Sequence, residues 1–154
     1  MPGSVASASA QIPLVDYLVL DDDPHLVTNE CVGCGARYFD RRNGCAACGG
    51  DEFRKVRIST IGVLRAFTIV SVAAPGIDVP FVAGVIECNG TTVRANVVNV
   101  PPSPDHLDLG MKLRLVIYPV GIDSAGTTAI GFAFEPLGGS ARCAAMTSGS
   151  SASA

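Results

Sequence analysis

Six cysteines fall within 154 residues, and four of them are spaced for one task. Cys31 and Cys34 form a C-x-x-C pair in Glu30-Cys31-Val32-Gly33-Cys34-Gly35. Cys45 and Cys48 form a second in Cys45-Ala46-Ala47-Cys48-Gly49-Gly50. Two intervening residues let a tight turn aim both sulfurs at one ion, and a glycine after each pair supplies the left-handed backbone such a knuckle needs. Ten residues separate the pairs. That is enough for a short hairpin that brings the knuckles face to face, with Asn43-Gly44 as its turn signal. Four thiolates in a tetrahedral array select zinc and leave no open position, which makes the site structural and not catalytic. A mononuclear iron of rubredoxin type takes the same ligands, and spacing alone does not separate the two. A redox dithiol is the poorer account, because the pairs are matched at ribbon spacing. In so small a module, metal binding itself supplies much of the folding free energy. Cys88 and Cys143 stand apart. Cys88 closes an apolar run and reads as a buried small hydrophobe, whereas Cys143 lies in a Ser/Ala/Gly-rich end with no structural task.

No other constellation of reactive residues emerges. There is no G-x-S-x-G elbow, P-loop or dinucleotide fingerprint. His25 and His106 sit beside prolines and aspartates, without a nucleophile at a recognisable spacing, and read as two surface histidines. Asp21-Asp22-Asp23 lacks the pattern of an EF-hand and reads as a solvated charge run. The chain is therefore not expected to be an enzyme by itself.

The elements that must carry the cysteines are mainly β. Residues 1–10 and 138–154 are dominated by Ser, Ala and Gly and read as disordered tails. Residues 11–30 form an N-terminal docking segment, whose stretch Ile12 to Leu20 is either a helix that docks onto a partner or a capping strand. Residues 31–54 form the ribbon and residues 55–137 a barrel. The expected barrel strands are Lys55 to Val72, bent at Gly62; Phe81 to Cys88; Thr91 to Val98; Lys112 to Tyr118; and Thr128 to Glu135. Asn89-Gly90 between the second and third is the strongest short hairpin signal. Pro101-Pro102-Ser103-Pro104 forces an irregular link between the third and fourth. Five strands, the first long and bent, suit an oligonucleotide/oligosaccharide-binding (OB) fold.

Composition bears on partners. Hydrophobic residues make up 48% of the chain and charged ones only 16%, below the usual quarter. A small domain with so few charges leaves apolar surface for a partner to cover. The net charge of −3 argues against a dedicated nucleic-acid binder. Yet Arg37, Arg41, Arg42, Arg54, Lys55 and Arg57 cluster around the ribbon among Asp40, Asp51 and Glu52, and a basic ribbon can grip phosphates. That patch also suits the phosphates of coenzyme A, an acidic partner surface, or plain solvation. Against nucleic acid, the barrel strands lack the interleaved aromatics on which bases stack. The most apolar stretch, Ile58 to Val82, is broken by Arg65, Pro75, Asp78 and Pro80, so no membrane span is expected. The N-terminus does not read as a secretory signal. A cytoplasmic location follows, and with it metal binding in preference to disulfides.

Order and spacing bring a resemblance into view. An apolar N-terminal segment and a four-cysteine ribbon precede a barrel that opens with Gly62-Val63-Leu64-Arg65-Ala66-Phe67-Thr68-Ile69-Val70. Pro75-Gly76, Pro80-Phe81-Val82-Ala83-Gly84-Val85-Ile86-Glu87 and Leu109-Gly110-Met111-Lys112-Leu113 follow. From about Leu26 to Pro136 the chain resembles the DUF35 family of rubredoxin-like zinc-ribbon plus OB-fold proteins. It departs in having Ala46 where a proline is common and a short segment before Asp21 where a helical hairpin is frequent. The resemblance implies a non-catalytic subunit beside a thiolase-fold enzyme: an acyl-CoA thiolase, an acyltransferase or an aldolase. There it would support the enzyme and help form the acyl-CoA entrance. The loop Ala73 to Pro80 is apolar without reason to face water. Pro75, Gly76, Ile77, Val79 and Phe81 are the candidate contacts to such an enzyme or to acyl-CoA, with Arg65 and Arg94 as candidates to meet phosphate. A homodimer is compatible with the same composition. The alternative is a nucleic-acid-binding zinc-ribbon/OB-fold protein.

Overall fold

The computed structural model of the chain describes residues 10–137; the tails assigned from sequence, and Cys143 with them, lie outside the described residues apart from Ala10. Ten strands follow one another: β1 (Gln11–Pro13), β2 (Leu18–Val19), β3 (His25–Cys31), β4 (Arg37–Tyr38), β5 (Phe53–Arg57), β6 (Ile61–Val70), β7 (Phe81–Cys88), β8 (Thr91–Val97), β9 (Lys112–Ile122) and β10 (Thr128–Pro136). The first sheet joins β2, β4 and β5 to β3 and carries the cysteines. The second closes on itself in the order β6-β7-β8-β10-β9, with β9 returning to β6. This is the five-stranded OB barrel. All pairings in the ring are antiparallel except β8 with β10, which meet in parallel where Val97 faces Phe134.

Period-two alternation decides which side chains fill the barrel. Along β7, Val82, Gly84, Ile86 and Cys88 are buried while Phe81, Ala83, Val85 and Glu87 look outward. Leu64, Val93, Val97, Leu113, Ile130 and Phe134 complete the interior. Gly62 is where the first barrel strand is pressed against its neighbours. A Cβ there would lie 2.3 Å from Ile86 Cγ2 and 2.7 Å from Cys88 Sγ, both deep in the core. Gly62→Ala should therefore cost about 1–3 kcal/mol, the range for overpacking a filled core, read as a lowered denaturant midpoint with unchanged slope. At the next turn, Asn89 (φ 50°) and Gly90 (φ 80°) both take the left-handed backbone that the hairpin signal requires.

Three sequence expectations are corrected here. The run Lys55 to Val72 is not one strand: β5 pairs with β3 in the cysteine-bearing sheet, and the barrel begins only at Ile61. The break falls at Ile58, whose amide bonds the Leu26 carbonyl and whose side chain is 1% exposed. Burying it between the two sheets outweighs continuing the strand. The fourth barrel strand runs on to Ile122, beyond Tyr118, because its pairing with β10 continues past a bulge at Ala129/Ile130. His25 is not a surface residue: it begins β3, is 8% exposed, and its Nδ1 lies 2.8 Å from the Asp23 carbonyl.

Of the two conformations open to Ile12 to Leu20, the structure has strand. β1 runs parallel to β10, and β2 pairs with β3. Between them Tyr17 packs on Phe39 (5.0 Å between centroids) and edge-on to Phe132 (5.9 Å). Leu18, Leu26 and Ile58 thereby join the same buried cluster as the barrel interior.

Candidate metal centre

The first knuckle is the turn between β3 and β4, and the second lies in the connection from β4 to β5. Cys31 ends β3, and the Gly35 amide returns to its carbonyl at 2.9 Å; Gly49 does the same to Cys45 at 2.8 Å. Gly35 (φ 78°) and Gly49 (φ 80°) both need the left-handed region, which accounts for the glycine after each pair. The Cys31 amide bonds the Ala36 carbonyl and the Cys45 amide the Gly50 carbonyl, so each knuckle is held by backbone bonds independent of its side chains.

The four sulfurs of Cys31, Cys34, Cys45 and Cys48 all lie within 4.8 Å of one another. Cys31 faces Cys48 and Cys34 faces Cys45, each across 3.5 Å. Four sulfurs each about 2.3 Å from a common centre sit about that far apart, so the set fits tetrahedral zinc. Cys31 and Cys45 are buried and Cys34 and Cys48 exposed, so the site reaches the surface of the protein. The Gly50 amide reaches Cys48 Sγ at 3.4 Å, and the Tyr38 hydroxyl reaches Cys45 Sγ at 3.4 Å. Bonds of this kind orient thiolate ligands and spread their charge.

The thiols are inequivalent. The Tyr38 hydroxyl holds Cys45 down at about 6. At Cys34 the Ala36 amide pulls the same way, but the Cys45 and Cys48 sulfurs outweigh it and push the thiol up to about 12. Crowded thiols retain protons that a divalent cation must displace, so zinc uptake releases protons and weakens as the pH falls. Cys88, by contrast, is a core residue, 1% exposed, and burial pushes its thiol up to about 11.

Sequence reasoning did not foresee Glu30. The residue before the first ligand is 6% exposed and receives both Arg37 Nε (2.8 Å) and Arg54 Nε (3.0 Å). Arg37 Nη1 also donates to the Asn89 carbonyl at 2.8 Å, and the Thr91 hydroxyl donates to the Arg37 carbonyl at 3.3 Å. One buried carboxylate thus ties the metal-bearing sheet to the β7–β8 turn. The only sequence signal was a lone acid on an alternating strand with arginines nearby, which also describes any solvated face. Arg54 and then Arg37 hold the Glu30 carboxyl below the usual carboxylate range. A depressed folded value means this stabilisation is complete above the ordinary range and is lost as pH falls through the lowered one. Glu30→Gln should therefore lower the melting temperature at pH 7, and the gap to the wild type should narrow in acid. A gap independent of pH would exclude the ionic account.

The remaining candidates do not gather at the metal. Pro75, Gly76, Ile77 and Val79 lie on the loop between β6 and β7, with Ile77 54% and Val79 42% exposed. Phe81 opens β7 and lines an apolar groove of about 630 Å³ with Pro80, Val98, Val100, Pro101 and Pro102. Arg65 is taken by Glu87 at 2.7 Å, while Arg94 forms no ion pair among the described residues.

A ribbon sheet with four convergent thiols, followed by a closed five-stranded barrel, is the arrangement that two family models match in order. The rubredoxin-like zinc ribbon domain of ChsH2 matches residues 21–54, and its C-terminal OB-fold domain matches residues 55–117. The chain belongs to the ChsH2 (DUF35) family. Its four-cysteine site is accordingly a site for one structural zinc ion. Among solved structures, a chain of the Ltp2-ChsH2(DUF35) aldolase is similar in fold. It has a TM-score of 0.58 and 23% sequence identity, covering 73% of this chain and 84% of that one. No curated protein matches the sequence. Among the described residues, no helix is long and apolar enough to cross a membrane.

Proposed function

We propose that this ChsH2-family chain is a non-catalytic, cytoplasmic subunit that binds and supports a thiolase-fold enzyme and helps form its acyl-CoA entrance. The observation that carries the reading is the pairing of a ChsH2 zinc ribbon with a ChsH2 OB barrel, in the architecture of a chain that belongs to an aldolase. The surface supports it. Ile77 and Val79 stand out on the loop before Phe81, and Ile12, Leu14, Tyr118 and Val120 are uncovered on and beside β1 and β9. Exposed apolar side chains in this number ask for a partner. The loop and Phe81 are the assigned contact to the enzyme. Within the basic cluster, the basis for nucleic-acid binding, Arg37 and Arg54 share Glu30 and Arg57 pairs with Asp23, so three of its six cations are held in ion pairs, while Arg42 stacks over Tyr38.

The test is to recover the tagged chain from its host and identify what accompanies it. A thiolase-fold protein in near-equal amount is the expected result; ribosomal proteins or nucleic acid without such a partner would overturn it. With the partner in hand, the double variant Ile77→Ser/Val79→Ser should assemble at least about tenfold more weakly, as expected on losing two interface anchors. Its own melting temperature should be unchanged. Undiminished assembly would remove the loop from the interface.

A further inference from the structure

The outward face of β6, β7 and β8 lacks the long side chains that ordinarily cover a solvated sheet. Register places Ala66 beside Val85 and Val85 beside Arg94; one step along, Thr68 lies beside Ala83 and Ala83 beside Asn96. These two rows form a floor about 10 Å across three strands and about 7 Å along them, from strand spacing and rise. Larger residues occupy the adjoining rows. Val70 and Phe81 pair on one side, and the Arg65–Glu87 ion pair lies on the other. The result is a shallow cavity of about 430 Å³ with a largely apolar lining, within the size range of small-molecule sites.

Its charge is as selective as its shape. Arg65 is neutralised by Glu87, so Arg94 is the one cation on this floor without an acidic partner among the described residues. Asn96 and Thr68 add neutral polar groups on the neighbouring row. An unpaired guanidinium at the edge of an apolar plate recognises an anion carried on an apolar body, since a carboxylate or phosphate meets it with charge-assisted hydrogen bonds. We infer that this face is a binding site for a small, flat, apolar organic anion, with Arg94 as its anchor and Ala66, Ala83 and Val85 as the plate on which the body lies. None of the zinc ligands lines this cavity, and the inference does not require the subunit role proposed above.

The test uses the purified full-length zinc-loaded chain alone. Naphthalene-2-carboxylate is the probe and naphthalene-2-carboxamide its neutral twin, each titrated while amide resonances are followed by NMR. The wild type should prefer the acid, with shifts centred on β6–β8. Arg94→Gln should weaken the acid about tenfold or more, the scale of one charged hydrogen bond, and leave the amide unchanged, while Arg94→Lys keeps part of the preference. Ala83→Trp, which fills the floor from its exposed side, should weaken both probes; zinc content and melting temperature report whether it still folds. Absence of binding by the wild type at millimolar probe would overturn the assignment. So would equal affinity for both probes, or shifts centred on Ile12, Tyr118 and Val120. Failure here would leave recovery of an enzyme partner untouched.

Discussion

Cys31→Ser should leave the chain without its zinc and its ribbon unfolded, while the barrel survives. Cys31 is the most buried of the four ligands, ends the strand to which β4 and β5 both pair, and lies 3.5 Å from Cys48. Three thiolates and a hydroxyl bind zinc far more weakly than four thiolates, and structural zinc is worth about 10–16 kcal/mol to modules of this kind. The ribbon buries too little to fold without it: Cys31 and Cys45 are themselves among its few buried side chains. The barrel is closed by its own ladder and keeps its own interior, so it should persist. It should nevertheless melt lower, because Tyr17, Leu26 and Ile58 would lose the sheet that presses them onto Phe132 and its neighbours. Zinc per chain, measured by elemental analysis, should fall to near zero. Trypsin should cut rapidly at Arg54, Lys55 and Arg57 and release a resistant barrel. Chelation of the wild type should reproduce the same cleavage pattern, more readily at acid pH because the thiols reclaim their protons. A variant that keeps full zinc and the wild-type digest would refute the four-thiolate site.

Phe134→Ala should strongly destabilise the barrel and spare the metal chemistry. Phe134 is the largest fully buried side chain, at 0% exposure, and it occupies the seam where the barrel closes. It faces Leu115 on β9 and Val97 on β8, in the only parallel contact of the ring, and meets Phe132 edge-on at 6.4 Å. Truncating such a residue loses its transfer free energy and leaves a cavity, about 3–5 kcal/mol in all. Against a total of about 5–15 kcal/mol for a domain, that is a large fraction. The melting temperature should fall by roughly 10 °C or more. The strand neighbours of Phe134 are barrel residues, whereas the cysteine knuckles are held by ribbon backbone bonds, so zinc stoichiometry at low temperature should stay at one. Loss of zinc with an intact barrel would reverse the proposed division between the two sheets.

Some of this was legible residue by residue. The cysteine spacing and following glycines determined the knuckles, because thiolate geometry and positive φ are local demands. Asn89-Gly90 determined the β7–β8 hairpin for the same reason. Alternation along Phe81 to Cys88 was enough to tell inward from outward positions, since the period of a strand is set by its own backbone. Gly62 reads as a bend from the sequence, but that its Cβ would collide with Ile86 and Cys88 depends on strands distant in sequence. Tertiary structure alone decided the split at Ile58 between ribbon and barrel, the strand pairing of Gln11 to Pro13, and the burial of His25 and Glu30. Each is settled by what lies across a sheet and not by neighbours in the chain. The same holds for charge: Arg37, Arg54 and Arg57 looked like one basic patch with Arg41, Arg42 and Lys55 until folding paired them with Glu30 and Asp23. Arg65 and Arg94 were equivalent in sequence, but the register of β6 against β7 set Glu87 beside one and left the other without an acidic partner among the described residues. Local conformation is written in neighbouring residues, whereas pairing, burial and residual charge exist only once distant segments meet.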